Sequence, residues 1–182
     1  KQADVLMLIY LLNDIFSKKT KLANYDFYIS RTVHKSSLSA PMHAFIASEV
    51  EDLHRAYNLF NVCLRTDISD LYGNTAEGVH AASLGGTWQA LIFGFAGVKI
   101  RRNELFIKPR MPRSWRKLIF SLEWRESLIK LELTNDLIKI RIFSSKRKSI
   151  KIGIFNKIIS IRTNKSYRFS KPLLEVKGGE YY

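Results

Sequence analysis

The residues of this chain whose types and spacing could do chemistry together lie between Tyr72 and Gly97, in YGNTAEGVHAASLGGTWQALIFGFAG. His80 offers a ring that donates from both nitrogens when charged, and Ser83 and Thr87 add hydroxyls. Gly85 and Gly86 would let a ligand come close to backbone N–H groups at the start of a helix, where such groups lack partners. Donors of this kind around a helix start suit a bound anion. A plainer reading is also open: the two glycines only permit tight helix packing, and His80 is a loop histidine held by its neighbours. Short Gly-rich motifs arise often enough by chance to keep both readings alive. Glu77 is the one carboxylate inside the loop. It would serve either as a catalytic base or to order the loop. A base carboxylate beside a bound anion would repel it.

These side chains need a scaffold, and the first part of the chain predicts a helical one. Leu84, Trp88, Leu91, Ile92 and Phe95 fall on one helical face, so a helix from Leu84 is expected to pack that face into a core, Trp88 included. Residues 3–17 are apolar nearly all round and predict a helix buried on most sides. Residues 18–30 read as a connection with a short helix. Pro41 suits the first turn of a helix, with Ser39 or Ala40 as its cap. Met42, Phe45, Ile46 and Val50 share a face there. Leu53, Ala56, Tyr57, Phe60 and Leu64 repeat the pattern after a short break. The pair makes an αα-hairpin. Helical hairpins with functional loops at one end fit a helical barrel or solenoid better than a closed bundle.

Past Gly97 the period changes to two. Leu118, Phe120, Leu122 and Trp124 alternate with their neighbours. Ile129, Leu131 and Leu133 would face inward, and Asn135-Asp136 turns the chain into Leu137–Phe143. Ile150 to Ile154, Lys157 to Ile161 and Tyr167 to Phe169 offer further short strands. This half reads as a small antiparallel β-sandwich, making the chain α+β overall. Charge marks the same boundary: residues 1–98 carry 8 basic and 9 acidic residues, whereas residues 99–182 carry 22 and 7. Lys130, Lys139, Arg141 and Lys151 each sit between apolar neighbours, as on a solvated outer face. With no base-stacking aromatic signature, no nucleic-acid partner is expected.

A hydrophobic fraction of 46% excludes disorder. The longest apolar run, Val5 to Leu12, is too short to cross a bilayer, so no membrane partner is expected. Cys63 is the single cysteine and excludes an internal disulfide and a Cys-based metal site. No metal and no cofactor are expected, and a reducing, cytoplasmic location fits. The chain begins with Lys1 inside a helical pattern, as part of a longer polypeptide would.

Several stretches, in order, resemble one family. They are KQADV at 1–5, RTVHKSSLS at 31–39, NTAEGVHAASLGGTWQALIFGFAGV at 74–98 and LFIKPRMPRSWRKLIFSLEWR at 105–125. Together they resemble the C-terminal part of glycoside hydrolase family 65, the inverting disaccharide phosphorylases. The resemblance weakens after about residue 145. It implies the last helices of an (α/α)6 barrel over 1–98 and a β-sandwich over 99–182. The rest of the barrel, the N-terminal domain and the general acid, a glutamate, would lie upstream. It implies cleavage of an α-linked glucose disaccharide by inorganic phosphate, the co-substrate, to β-glucose 1-phosphate and glucose.

By the same resemblance, His80, Ser83, Gly85 and Gly86 form the phosphate pocket. Lys1 and Gln2 bind the glucosyl unit, and His34 and Glu77 line the substrate site. No catalytic residue is expected within this chain. The alternatives are a trehalase-like hydrolase of the same family, with Glu77 as base, or a non-catalytic carbohydrate-binding fragment. A homodimer is an admissible assembly.

Overall fold

A computed structural model describes residues 3–33 and 37–171. Five α-helices come first: α1 (Asp4–Leu11), α2 (Lys18–Ile29), α3 (Ser39–Val50), α4 (Leu53–Arg65) and α5 (Ala81–Gln89). α3 is the centre of the array. It packs against α1 and α5 on either side, while α2 lies on α1 and α3, and α4 on α3 and α5. Residues 39 to 49 of α3 are accordingly all buried, not only the predicted face. Pro41 sits in its first turn, as predicted, though the capping position is Leu38.

The edges of the array differ from expectation. α1, at one edge, keeps only Leu6 and Ile9 deeply buried and exposes Leu8, Leu11 and Leu12, with Ile15 beyond its end. α2 is a full twelve-residue helix where a connection with a short helix was expected. Ser17 caps it, its side chain accepting from the Thr20 amide at 3.1 Å. Its buried positions are Lys21 and Tyr25, so apolar periodicity alone understates it. The αα-hairpin of α3 and α4 is present, closed by Glu51 in the left-handed region. Asp52 caps α4 by accepting from the Arg55 amide at 3.1 Å.

α5 runs into a π-helical turn, Ala90–Phe95, where the Ala96 amide donates to the Leu91 carbonyl. The wider turn changes the phase of the helix. Trp88 and Leu84 therefore stay more than half exposed while Ile92 and Phe95 are buried, and the single face drawn through all of them does not exist. The chain then turns at Gly97, whose φ is +64°; a Cβ there would lie 1.9 Å from the Lys108 carbonyl oxygen, so only glycine fits.

Eight strands follow: β1 (Val98–Arg101), β2 (Glu104–Ile107), β3 (Leu118–Trp124), β4 (Ser127–Leu133), β5 (Leu137–Phe143), β6 (Ser149–Ile154), β7 (Lys157–Arg162) and β8 (Ser166–Ser170). They form two four-stranded sheets, ordered β1-β2-β6-β7 and β3-β4-β5-β8. Ile129, Leu131 and Leu133 face inward as expected and meet Leu105, Ile107 and Ile152 of the other sheet in one apolar core. The pairs are antiparallel except β2 with β6, where two hairpins lie side by side and pair in parallel. Arg102-Asn103, Arg125-Glu126 and Phe155-Asn156 all have positive φ, as two-residue hairpin turns matched to sheet twist require.

Helices and sheets are joined in two ways. Leu91, Phe93 and Trp115 pack against both cores. Beside them Glu49, at the end of α3, is buried and accepts from three cations on other elements. Lys21 of α2 and Lys99 of β1 reach Oε2 at 3.3 and 2.5 Å, and Arg110 reaches Oε1 at 2.8 Å. Burial by itself would raise this carboxyl, but Arg110, Lys99 and Lys21 outweigh it and hold the pKa at about 2. Glu49→Gln would leave three buried cations without their carboxylate, a loss of about 3–5 kcal/mol. The Glu49 contribution is complete above the ordinary carboxylate range and is lost as pH falls through about 2. Thermal midpoints of both proteins should therefore differ most near neutrality and converge in acid; equal midpoints at pH 7 would contradict this.

Candidate functional site

The segment between α4 and α5 is organised by two aspartates. Asp70 accepts from both the amide and the hydroxyl of Thr75, at 3.0 and 2.8 Å, tying the loop before the 3₁₀ turn Thr75–Glu77. Those bonds hold its carboxyl below the usual range. Asp67 grips His80 at two points. Its Oδ2 accepts from the His80 amide at 3.0 Å and its Oδ1 meets ring Nδ1 at 2.5 Å. The Tyr72 ring stands edge-on to the imidazole, with centroids 6.0 Å apart. His80 is thus fixed in orientation at the position just before α5. With the Nδ1 proton donated to Asp67, Nε2 is the ring atom left for a ligand, as acceptor when neutral and donor when charged.

The other expected residues fall in different places. α5 begins at Ala81, three residues earlier than predicted, because Ala81 and Ala82 are good helix formers. Gly85 and Gly86 are consequently inside the helix, where amides belong to the i→i−4 ladder and are not free loop donors. Gly86 serves packing: a Cβ there would come within 2.4 Å of Pro41 Cβ on α3. Gly85 faces open space, with nothing within 4 Å of a built Cβ.

Ser83 is buried. Its hydroxyl donates to Thr66 Oγ1 at 3.1 Å and lies 3.4 Å from the Cys63 carbonyl, in the α4–α5 seam. Thr66 passes the bond on to the Val62 carbonyl. Glu77 is exposed on the 3₁₀ turn. Lys1, Gln2 and His34 lie outside the described residues.

Asp67 and Asp70 are not among the residues expected from the sequence. The available signal was chemical: a histidine meant to present one nitrogen needs an acceptor for the other. His43, equally unremarked, is fully buried on α3, with Nδ1 at 2.9 Å from the Ser39 carbonyl. Cys63 takes no part in thiolate chemistry, since burial pushes its thiol up to about 12. Among the described residues no group of three His, Cys, Asp or Glu is placed to hold a metal ion, and no helix is long and apolar enough to cross a membrane.

Asp67→Ala would remove both bonds to His80, at about 2–4 kcal/mol locally. Hydrogen exchange over residues 66–80 should accelerate by at least about tenfold while α3 keeps its protection. Unchanged exchange at His80 would contradict the two-point grip.

The sequence model of the glycosyl hydrolase family 65 central catalytic domain matches residues 1–89, and that of the family's C-terminal domain matches residues 98–160. A kojibiose phosphorylase of Caldanaerobacter subterraneus subsp. tengcongensis is 46% identical over 123 residues, which are 67% of this chain and 16% of that protein. An α,α-trehalose phosphorylase of Thermoanaerobacter brockii is 40% identical over 122 residues, again 67% and 16%. The chain therefore spans about a sixth of the length of these curated relatives. A solved structure described as a putative kojibiose phosphorylase from human microbiome superposes with a TM-score of 0.86 at 30% identity, covering 94% of this chain and 22% of that one.

Proposed function

The chain belongs to glycosyl hydrolase family 65, and from that premise we propose that it is the C-terminal part of a glycoside phosphorylase. The enzyme cleaves an α-linked glucose disaccharide with inorganic phosphate, giving β-glucose 1-phosphate and glucose with inversion. Residues 1–98 contribute the last helices of an (α/α)6 barrel and residues 99–182 a β-sandwich. The two-layer helical array supports this, since α1 and the exposed Leu84–Trp88 side of α5 leave apolar edges for further helices. The remaining barrel, the N-terminal domain and the general acid belong to the rest of the polypeptide. A cytoplasmic location and assembly as a homodimer complete the reading.

One observation carries the chemistry: an imidazole fixed by Asp67 at the head of α5, with Nε2 available. In an inverting phosphorylase a single carboxylic acid protonates the leaving oxygen while a phosphate oxygen attacks the anomeric carbon from the opposite face. The protein must then hold an anion, and an imidazole N–H at a helix N-terminus does so by hydrogen bond and helix dipole together. The open space over Gly85 leaves room for it. Ser83 and Gly86 act one step removed, holding α5 against α4 and α3. Lys1, Gln2 and His34 bind the glucosyl unit and line the pocket. Glu77, exposed and without a charged partner among the described ion pairs, meets a sugar hydroxyl at the rim.

The test is turnover of the complete protein on a panel of α-linked glucose disaccharides, with and without inorganic phosphate. Phosphate-dependent release of β-glucose 1-phosphate is expected and names the linkage. His80→Ala should lower the phosphorolytic kcat by about 100-fold and raise KM for phosphate. Glucose release that ignores phosphate and survives His80→Ala but not Glu77→Gln would replace this reading with hydrolysis. A folded protein that turns over none of the panel would favour a carbohydrate-binding role.

A further inference from the structure

The Glu49 cluster is not satisfied by its own members. Lys21 and Lys99 each use two donors, on Glu49 and on Asn13 Oδ1, the latter at 2.9 Å in both cases. Each ammonium has a third, and Arg110 has five N–H groups against one bond drawn, to Glu49. Arg110 Nε is buried without a hydrogen-bond partner. Donors thus outnumber acceptors. Charge is out of balance in the same direction, since three cations surround one carboxylate.

These groups do not close over an empty seam. They line a cavity of about 230 Å³, to whose wall Lys18, Arg101 and Lys108 add three more cations and Glu51 one more carboxylate. Lys18 is matched by Glu51 at 3.0 Å, and Arg101 by Asp14 at 2.7 Å. Lys108 has no ion pair among the described residues, and burial and the nearby Arg110 lower its pKa. The volume is room for about eight waters at roughly 30 Å³ each, and so for a small oxyanion.

From this surplus of cationic donors around a cavity we infer a second anion site, distinct from the His80 loop, that binds a tetrahedral oxyanion of the phosphate class at the junction of helices and sheets. Free phosphate and the phosphoryl group of a sugar phosphate present the same acceptors to it. The anion takes the third donors of Lys21 and Lys99, the outer N–H groups of Arg110 and Lys108 Nζ. The site lies at the far end of α3 from the His80 loop. Pro41 touches Gly86 at one end and Glu49 stands eight residues on, about 12 Å along the helix. Because its ligands come from α2, β1 and the segment after β2, occupancy clamps the sheets to the helical array.

The experiment is calorimetric titration of the complete protein with inorganic phosphate, and separately with glucose 1-phosphate, at constant ionic strength made up with chloride. Four proteins are compared: wild type, His80→Ala, Lys108→Gln and the double variant. Lys108→Gln removes one cation from the cavity wall without unpairing Glu49, so the fold is retained. Saturable phosphate binding should persist in His80→Ala and weaken by about tenfold in the double variant, the loss of one charge-assisted hydrogen bond. A thermal midpoint that rises with phosphate in His80→Ala, and rises less in the double variant, gives the same answer independently. No saturable phosphate binding in His80→Ala, or binding there that Lys108→Gln leaves unchanged, would overturn the second site. Failure of the His80 reading looks different: His80→Ala would then leave wild-type binding intact, while Lys108→Gln still weakened it. Response to glucose 1-phosphate but not to phosphate would assign the site to the esterified form.

Discussion

The buried carboxylate of Glu49 is the constraint on which the arrangement of the two halves depends. A charge this far from water survives only because cations reach it from several elements. Each of those cations is anchored on a different piece of chain: one on α2, one on the first strand, one on the segment leaving the second strand. The same bonds that neutralise Glu49 therefore fix the helical array against the sheets. Lys99 illustrates the cost. Burial pushes its pKa down to about 8 in spite of the contact with Glu49, as expected for an ammonium drawn into a crowd of other cations. Apolar packing through Leu91, Phe93 and Trp115 closes the joint beside this cluster.

α3 carries that constraint to its own opposite end. It is buried along its length, and its first turn meets α5 where Gly86 lets Pro41 in. The helix that begins at His80 is thereby held against a rigid element, while Ser83 and Thr66 fasten it to α4 from the other side. What remains free in this region is the imidazole edge, which the Asp67 grip orients but does not cover. A side chain held from behind by a carboxylate and from below by packed helices is pre-organised, and the proposed role of His80 as a fixed donor requires that. Ser83 and Gly86 pack within this support.

Much of the fold was legible in the sequence because apolar period reports burial directly. The switch from period 3.6 to period two at Gly97, the inward set Ile129, Leu131 and Leu133, and the α3–α4 hairpin follow from it. The failures have specific causes. α2 buries a lysine, so its pattern is polar where it packs. The π-turn breaks the phase on which the Leu84–Phe95 face was drawn. α1 and α5 lie at edges of the array, so their apolar residues stay exposed. At the site, residue type pointed to His80, whereas Asp67, Asp70 and the early start of α5 depend on contacts between segments. Glu49 carries no local sequence signal, because its three partners lie 28 to 61 residues away.

The most direct test of the account is a crystal structure of the complete protein grown with phosphate and glucose. The account predicts a phosphate whose oxygen lies within about 2.7–3.1 Å of His80 Nε2, with Asp67 still holding Nδ1 and the glucose anomeric carbon on its near side. A phosphate bound elsewhere in the sugar pocket, with His80 Nε2 engaged by another segment of the protein, would contradict it.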